Sequence, residues 1–111
     1  MDVERKYLLH LLHEVQVSIR VRCGETAAVK LAEIVRWISQ ADDIHDALRS
    51  LYYVSGMDQF ALRLLWLIDF VRVDGKAPSD SVTAHEVRHL SIHLAALFPT
   101  TTQNVHTEIH G

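Results

Sequence analysis

The chain has 111 residues, 49 % apolar and 23 % charged, which suits one closed hydrophobic core and is too apolar for a disordered segment. A formal charge of -3 with scattered Lys and Arg supplies no broad basic field, so nucleic acid is disfavoured as the main partner. Cys23 is the single cysteine, which excludes an internal disulfide and makes the reducing cytoplasm the expected compartment.

The opening MDVERKYLL mixes acids and bases before any apolar run and does not read as a secretory signal. From Val3 to about Arg22, Leu8, Leu12, Val15 and Ile19 fall on one helical face. The second half, VQVSIRVR, also alternates like a strand; with no obvious partner strand it is read as helix. A second helix, Thr26 to Ala41, places Leu31, Ile34, Val35 and Ile38 together with Trp37 beside them. A third starts after Asp43, a natural N-cap, and runs to Val54, with Gly56 as its stop.

The fourth segment, Asp58 to Val73, differs from the rest. Phe60, Leu64, Leu67, Ile68 and Val71 make its main stripe, yet Leu62, Leu65, Trp66, Phe70 and Val73 cover most of the remaining circumference. A helix apolar nearly all round needs cover on nearly all sides, and four neighbours of this size hardly supply it. Contact with another chain, most simply in a homodimer, is therefore expected, with Leu62, Trp66, Phe70 and Val73 at the interface. Tyr52 and Tyr53 join them because aromatic side chains dominate interface energetics. The run LLWLIDFV is too short to span a bilayer and holds Asp69, so no membrane role is expected. A fifth helix covers about Ser81 to Phe98, and residues 99–111 are expected to form a mobile tail. The expected architecture is all-α, one domain with a compact bundle of about five helices over residues 1–98.

The fifth helix carries HEVRHLSIH, residues 85 to 93, in a chain with eight histidines. Its first five letters, His85-Glu86-Val87-Arg88-His89, resemble the H-E-x-x-H helix of zinc metalloproteases, a likeness confined to those residues. The resemblance implies His85 and His89 as zinc ligands and Glu86 as the base that activates water. Counting about 100° per residue from Val87, Leu90, Leu94, Leu97 and Phe98 lie between about 280° and about 20°. By the same count His85, His89 and His93 lie on the opposite side, at about 160°, about 200° and about 240°. They form a ridge expected to point away from the core. Thr83-Ala84-His85-Glu86 also fits the S/T-x-x-E capping box, which accounts for the glutamate without chemistry.

Arg88-His89-Leu90-Ser91-Ile92-His93 resembles R-[NHD]-x-x-x-H, the pattern of HEPN-domain ribonucleases, themselves small all-α dimers. That resemblance implies Arg88 and His93 as a catalytic pair at a cleft between subunits. It spans six residues, and Ala95 stands where a tyrosine often follows the histidine. His10 and His13 share a face of the first helix with Val17 and Val21 and are expected at a half-buried boundary. Cys23 is expected to be buried and inert. No phosphate-cradling loop, nucleophile elbow or dinucleotide fingerprint occurs. The expectation is a non-catalytic, cytoplasmic module that binds another protein, inhibitor-, immunity- or antitoxin-like, with no cofactor. The alternatives are the ribonuclease and the zinc hydrolase.

Overall fold

The computed structural model describes residues 3–98. Along them the chain forms α1 (Val3–Cys23), α2 (Glu25–Gln40), α3 (Ile44–Tyr52), α4 (Asp58–Asp74) and α5 (Asp80–Leu97), with no strand among the described residues. The fold is an all-α bundle. The tail assigned to residues 99–111 lies outside the described residues.

The stretch that alternates like a strand is the second half of α1: Val15 and Ile19 are buried while Val17 and Val21 are exposed. One residue, Gly24, joins α1 to α2, and its φ of +92° is what lets the chain turn so abruptly. A Cβ there would meet nothing within 4 Å, so any side chain would be opposed by the backbone angle alone. Arg20 Nε donates to Glu25 Oε2 at 3.0 Å across this corner.

The last turn of α2 has no basic residue of its own. Arg5 of α1 supplies the missing charge, donating to the carbonyls of Ser39, Ala41 and Asp42 at 3.3, 2.6 and 3.0 Å. Carbonyls at a helix C-terminus lack intrahelical donors and carry partial negative charge, so a cation satisfies both needs. The N-cap expected at Asp43 is present, its carboxylate accepting from the amides of His45 and Asp46 at 2.9 and 3.3 Å. α3 ends at Tyr52, short of the expected Val54, because the amides of Tyr53 and Val54 turn to the carbonyls of Ser50 and Leu51. Gly75, at φ +77°, closes α4 with its amide on the Val71 carbonyl at 2.8 Å.

The capping box does not form. α5 is capped one turn earlier, by Ser79, whose hydroxyl accepts from the Val82 amide at 3.3 Å. Thr83 and Glu86 are then interior positions of the helix and both are buried. Thr83 Oγ1 shares a buried hydrogen bond of 3.0 Å with the Tyr7 hydroxyl, and Glu86 pairs with Arg63. Tertiary partners have taken the groups that would have closed the helix end.

α1 is the hub of the bundle, packed against α2, α4 and α5, while α3 lies on α4 and more lightly on α2. Leu8, Leu11, Leu12, Val15 and Ile19 of α1 meet Phe60, Leu64, Leu67, Ile68 and Val71 of α4 in one core, joined by Leu90 and Leu94 of α5. α4 and α5 hardly approach each other directly. Each leans on α1, and a seam is left between them.

Candidate functional site

Counting about 100° per residue from Phe60, the buried residues of α4 occupy an arc from about 340° through zero to about 100°. Leu62, Val73, Trp66 and Phe70 fall on the opposite side, at about 200°, about 220°, about 240° and about 280°. They are 46 %, 86 %, 55 % and 49 % exposed, respectively. One helix thus carries two apolar faces, one closed and one open. Trp66 and Phe70 stack with centroids 6.0 Å apart and planes 30° from parallel. Asp69, the acid inside the apolar run, accepts from His45 Nε2 at 3.2 Å and from Arg72 at 3.0 Å. Its charge is thereby tied down beside the stripe.

Two clefts line the seam with α5. The first, about 330 Å³, is bordered by Gln59, Leu62, Arg63, Trp66, His89 and His93. The second, about 450 Å³, lies nearer the α4–α5 loop among Trp66, Phe70, Asp74, Lys76, Pro78 and Val82. Trp66 borders both. Its ring is also covered by the Arg63 guanidinium, 4.8 Å from the centroid.

Arg63 and Glu86 form a two-pronged ion pair between α4 and α5. Arg63 Nε donates to Oε2 at 2.8 Å, and its Nη2 to Oε1. The Glu86 side chain is enclosed while that of Arg63 is about a third exposed. Hydrogen bonding to Arg63 holds the Glu86 carboxyl below the usual carboxylate range; burial opposes this, and the charge of Arg63, with smaller effects of His85 and His89, adds to it. The same bond raises Arg63, against its own partial burial. Tyr7, behind the pair, is raised mainly by burial.

The histidine ridge is only partly outward. His85 and His89 are exposed, but His93 is half-buried, and its Nε2 is enclosed with no hydrogen-bond partner. His93 sits only about 20° around α5 from Glu86, at the border of the buried arc. As for H-E-x-x-H, both oxygens of Glu86 are engaged by Arg63 on the α4 side, which leaves a poor general base for water on a metal at His85 and His89. Among the described residues no group of three or more His, Cys, Asp or Glu is arranged to hold a metal ion. Arg88 is exposed and sits about 140° around the helix from His93, so the two do not converge within one chain.

His10 and His13 are both exposed, as are Val17 and Val21, so the half-buried boundary expected for that face is not there. The α1 face that packs is the one centred on Leu8 and Leu12. Cys23 is a buried free thiol. Tyr52 and Tyr53 make an edge-to-face pair at 5.2 Å, 37 % and 84 % exposed, and border neither seam cleft. Among the described residues no helix is long and apolar enough to cross a membrane.

The chain matches no family model, no curated protein and no solved structure. The α4 face therefore has to be read from its own chemistry. Sequence reasoning found its apolar members but passed over Arg63, Gln59, Asp74 and Val82. For Arg63 a signal existed. It interrupts the apolar run of α4, and Glu86 falls within about 20° of the apolar arc of α5. An acid and a base on the apolar borders of adjacent helices are candidates to pair.

Proposed function

We propose that this protein is a non-catalytic helical binding module that works as a dimer, with the outer face of α4 as its contact surface. The observation that carries this is the open row Leu62, Trp66, Phe70 and Val73 on the same helix whose other side builds the core. Water-exposed Trp and Phe stacked side by side are costly to leave bare and are the residue types that anchor protein interfaces. Full burial of side chains of this size contributes about 1.5–3 kcal/mol each, the largest favourable contribution available to association here.

The assembled module is of the kind that regulates another protein, inhibitor-, immunity- or antitoxin-like, a class suggested by size, mild acidity and helical make-up. Neither catalytic alternative draws comparable support. The hydrolase needs a free Glu86, and the ribonuclease needs Arg88 and His93 together, whereas within one chain they lie about 140° apart around α5.

Light scattering after gel filtration, repeated over a range of concentrations, tests the proposal. The expected result is a dimer that becomes a monomer in Trp66→Asp, with helical circular dichroism unchanged because Trp66 lies outside the core. A wild-type chain that stays monomeric throughout, or a Trp66→Asp dimer as tight as the wild type, overturns it.

A further inference from the structure

The two ends of the α4 face differ in charge chemistry. Near the N-terminal end, the cleft beside Leu62 is lined by Gln59, Arg63 and His89, side chains that can donate N–H groups, with the half-buried His93 beside them, and none of its lining residues is a carboxylate. Near the C-terminal end, the second cleft, on the same α5 side of the helix, is lined by two carboxylates, Glu86, already bound by Arg63, and Asp74, with Lys76 beside them. Asp58 stands at the start of α4 and Lys76 just beyond its end. Donors face one way along the helix and the acceptor the other, a pattern that complements itself when reversed.

We propose that the occupant of this face is a second copy of the chain, packed with its α4 antiparallel to the first, and that Asp74 of the second copy enters the donor-lined cleft beside Leu62. This rests on the outer face of α4 being the dimer contact. It adds the direction of packing and the polar group that fixes it.

The stripe runs from Leu62 to Val73, so a two-fold axis through its middle passes between Trp66 and Ile68. About any centre in that range, Asp74 of one copy lies opposite residues 58–62 of the other, the level of the donor cleft. Lys76 then lies opposite residues 56–60, the level of Asp58. An axis perpendicular to the paired helices also keeps the α5 side of both copies on one side of the contact. Asp74 and the cleft both border that side, so the match holds around the helix as well as along it. Trp66 and Phe70 of the two copies interleave at the centre. The contact is isologous and closes at two subunits, which a single face of this kind allows. Parallel packing, with the two-fold axis along the helices, would instead put the α5 flanks on opposite sides and each Asp74 at the far end from either donor cleft, so no acceptor meets a donor and that register is disfavoured.

Two experiments on the full chain test this separately from the dimer itself. In the first, Leu62→Cys and Val73→Cys are made singly and together, with the buried Cys23 left in place, and oxidised at dimer concentration. In antiparallel packing Leu62 is at least about 12 Å along the axis from its own copy, by the rise of about 1.5 Å per residue, and lies level with Val73 of the other chain. Disulfide formation needs Cα atoms within about 7 Å. The double variant should therefore cross-link and neither single variant should.

In the second, sedimentation equilibrium should show Asp74→Lys weakening the dimer by about tenfold, the size of one lost charge-assisted contact. Adding Gln59→Glu in the same chain should restore most of the loss, while Gln59→Glu alone weakens. A dimer that Trp66→Asp splits but that cross-links through Leu62→Cys alone, or is indifferent to Asp74→Lys, keeps the α4 contact and overturns this arrangement. A wild-type monomer overturns both.

Discussion

The two faces of α4 are built from the same residue types and have opposite fates. Phe60, Leu64, Leu67, Ile68 and Val71 are shut against α1 and its neighbours, whereas Leu62, Trp66, Phe70 and Val73 stand open. Apolarity alone does not separate them. What separates them is the supply of partners: α1 and α3 cover one side, while α5 docks on α1 and leaves the other uncovered. An apolar side chain in a small bundle is thus inside only if a second element is placed to meet it.

The widest test of that contrast is a pair of truncations on one helix. Leu64→Ala should cost about 2–5 kcal/mol in urea unfolding, because it opens a cavity in the closed face. Leu62→Ala, measured in the monomeric Trp66→Asp background so that dimer linkage does not enter, should stay within about 0.5 kcal/mol. Equal losses at both positions would mean that the outer face is packed within the monomer.

Next in size is the ion pair that bridges the seam. Arg63→Ala leaves Glu86 enclosed without its cation, and removing one partner of a buried pair costs about 3–5 kcal/mol; the partial exposure of Arg63 lowers the expected loss to about 2–3 kcal/mol. The pH dependence has a definite sign. A carboxyl lowered in the folded state contributes its full stability above its ordinary value of 4.5 and loses it as pH falls through the lowered folded value. Denaturant midpoints should fall steeply with acid in the wild type, and Glu86→Gln should flatten that fall while lowering stability near neutrality. An unchanged acid limb would remove Glu86 as its source.

The smallest effect belongs to the caps and to single hydrogen bonds. Asp43→Ala should cost about 1 kcal/mol by freeing the His45 and Asp46 amides. Thermal unfolding resolves a change of that size in a domain this small.

Much of this comparison was legible in the sequence, for reasons that differ by residue. Periodicity located the five helices of the described residues, since Leu8, Leu12, Val15 and Ile19 or Leu31 and Ile38 have no other economical arrangement. Asp43 was legible as a cap because its function is local. Thr83 and Glu86 also looked local, and there the sequence misled: Tyr7 and Arg63, 76 and 23 residues away, claim them instead. Spacing along one helix carries no information about such distant claimants. The same limit applies to His93, whose place beside Glu86 at the buried border depends on where α4 lies. The outer stripe was readable as surplus, whereas its polar rim was not, because Gln59, Arg63 and Asp74 acquire meaning only once α5 is set next to α4.

The hydrogen bond between Tyr7 and Thr83 has a consequence for the birth of the protein. It fastens α1, the earliest of the five described helices to leave the ribosome, to α5, the latest of them, and the greasy row behind Tyr7, covered in part by α2, awaits α4 and α5 for the rest of its lid. During synthesis that row stays partly open until α5 has emerged, so translation pauses ahead of α5 are where nascent copies remain exposed to aggregation or chaperone capture.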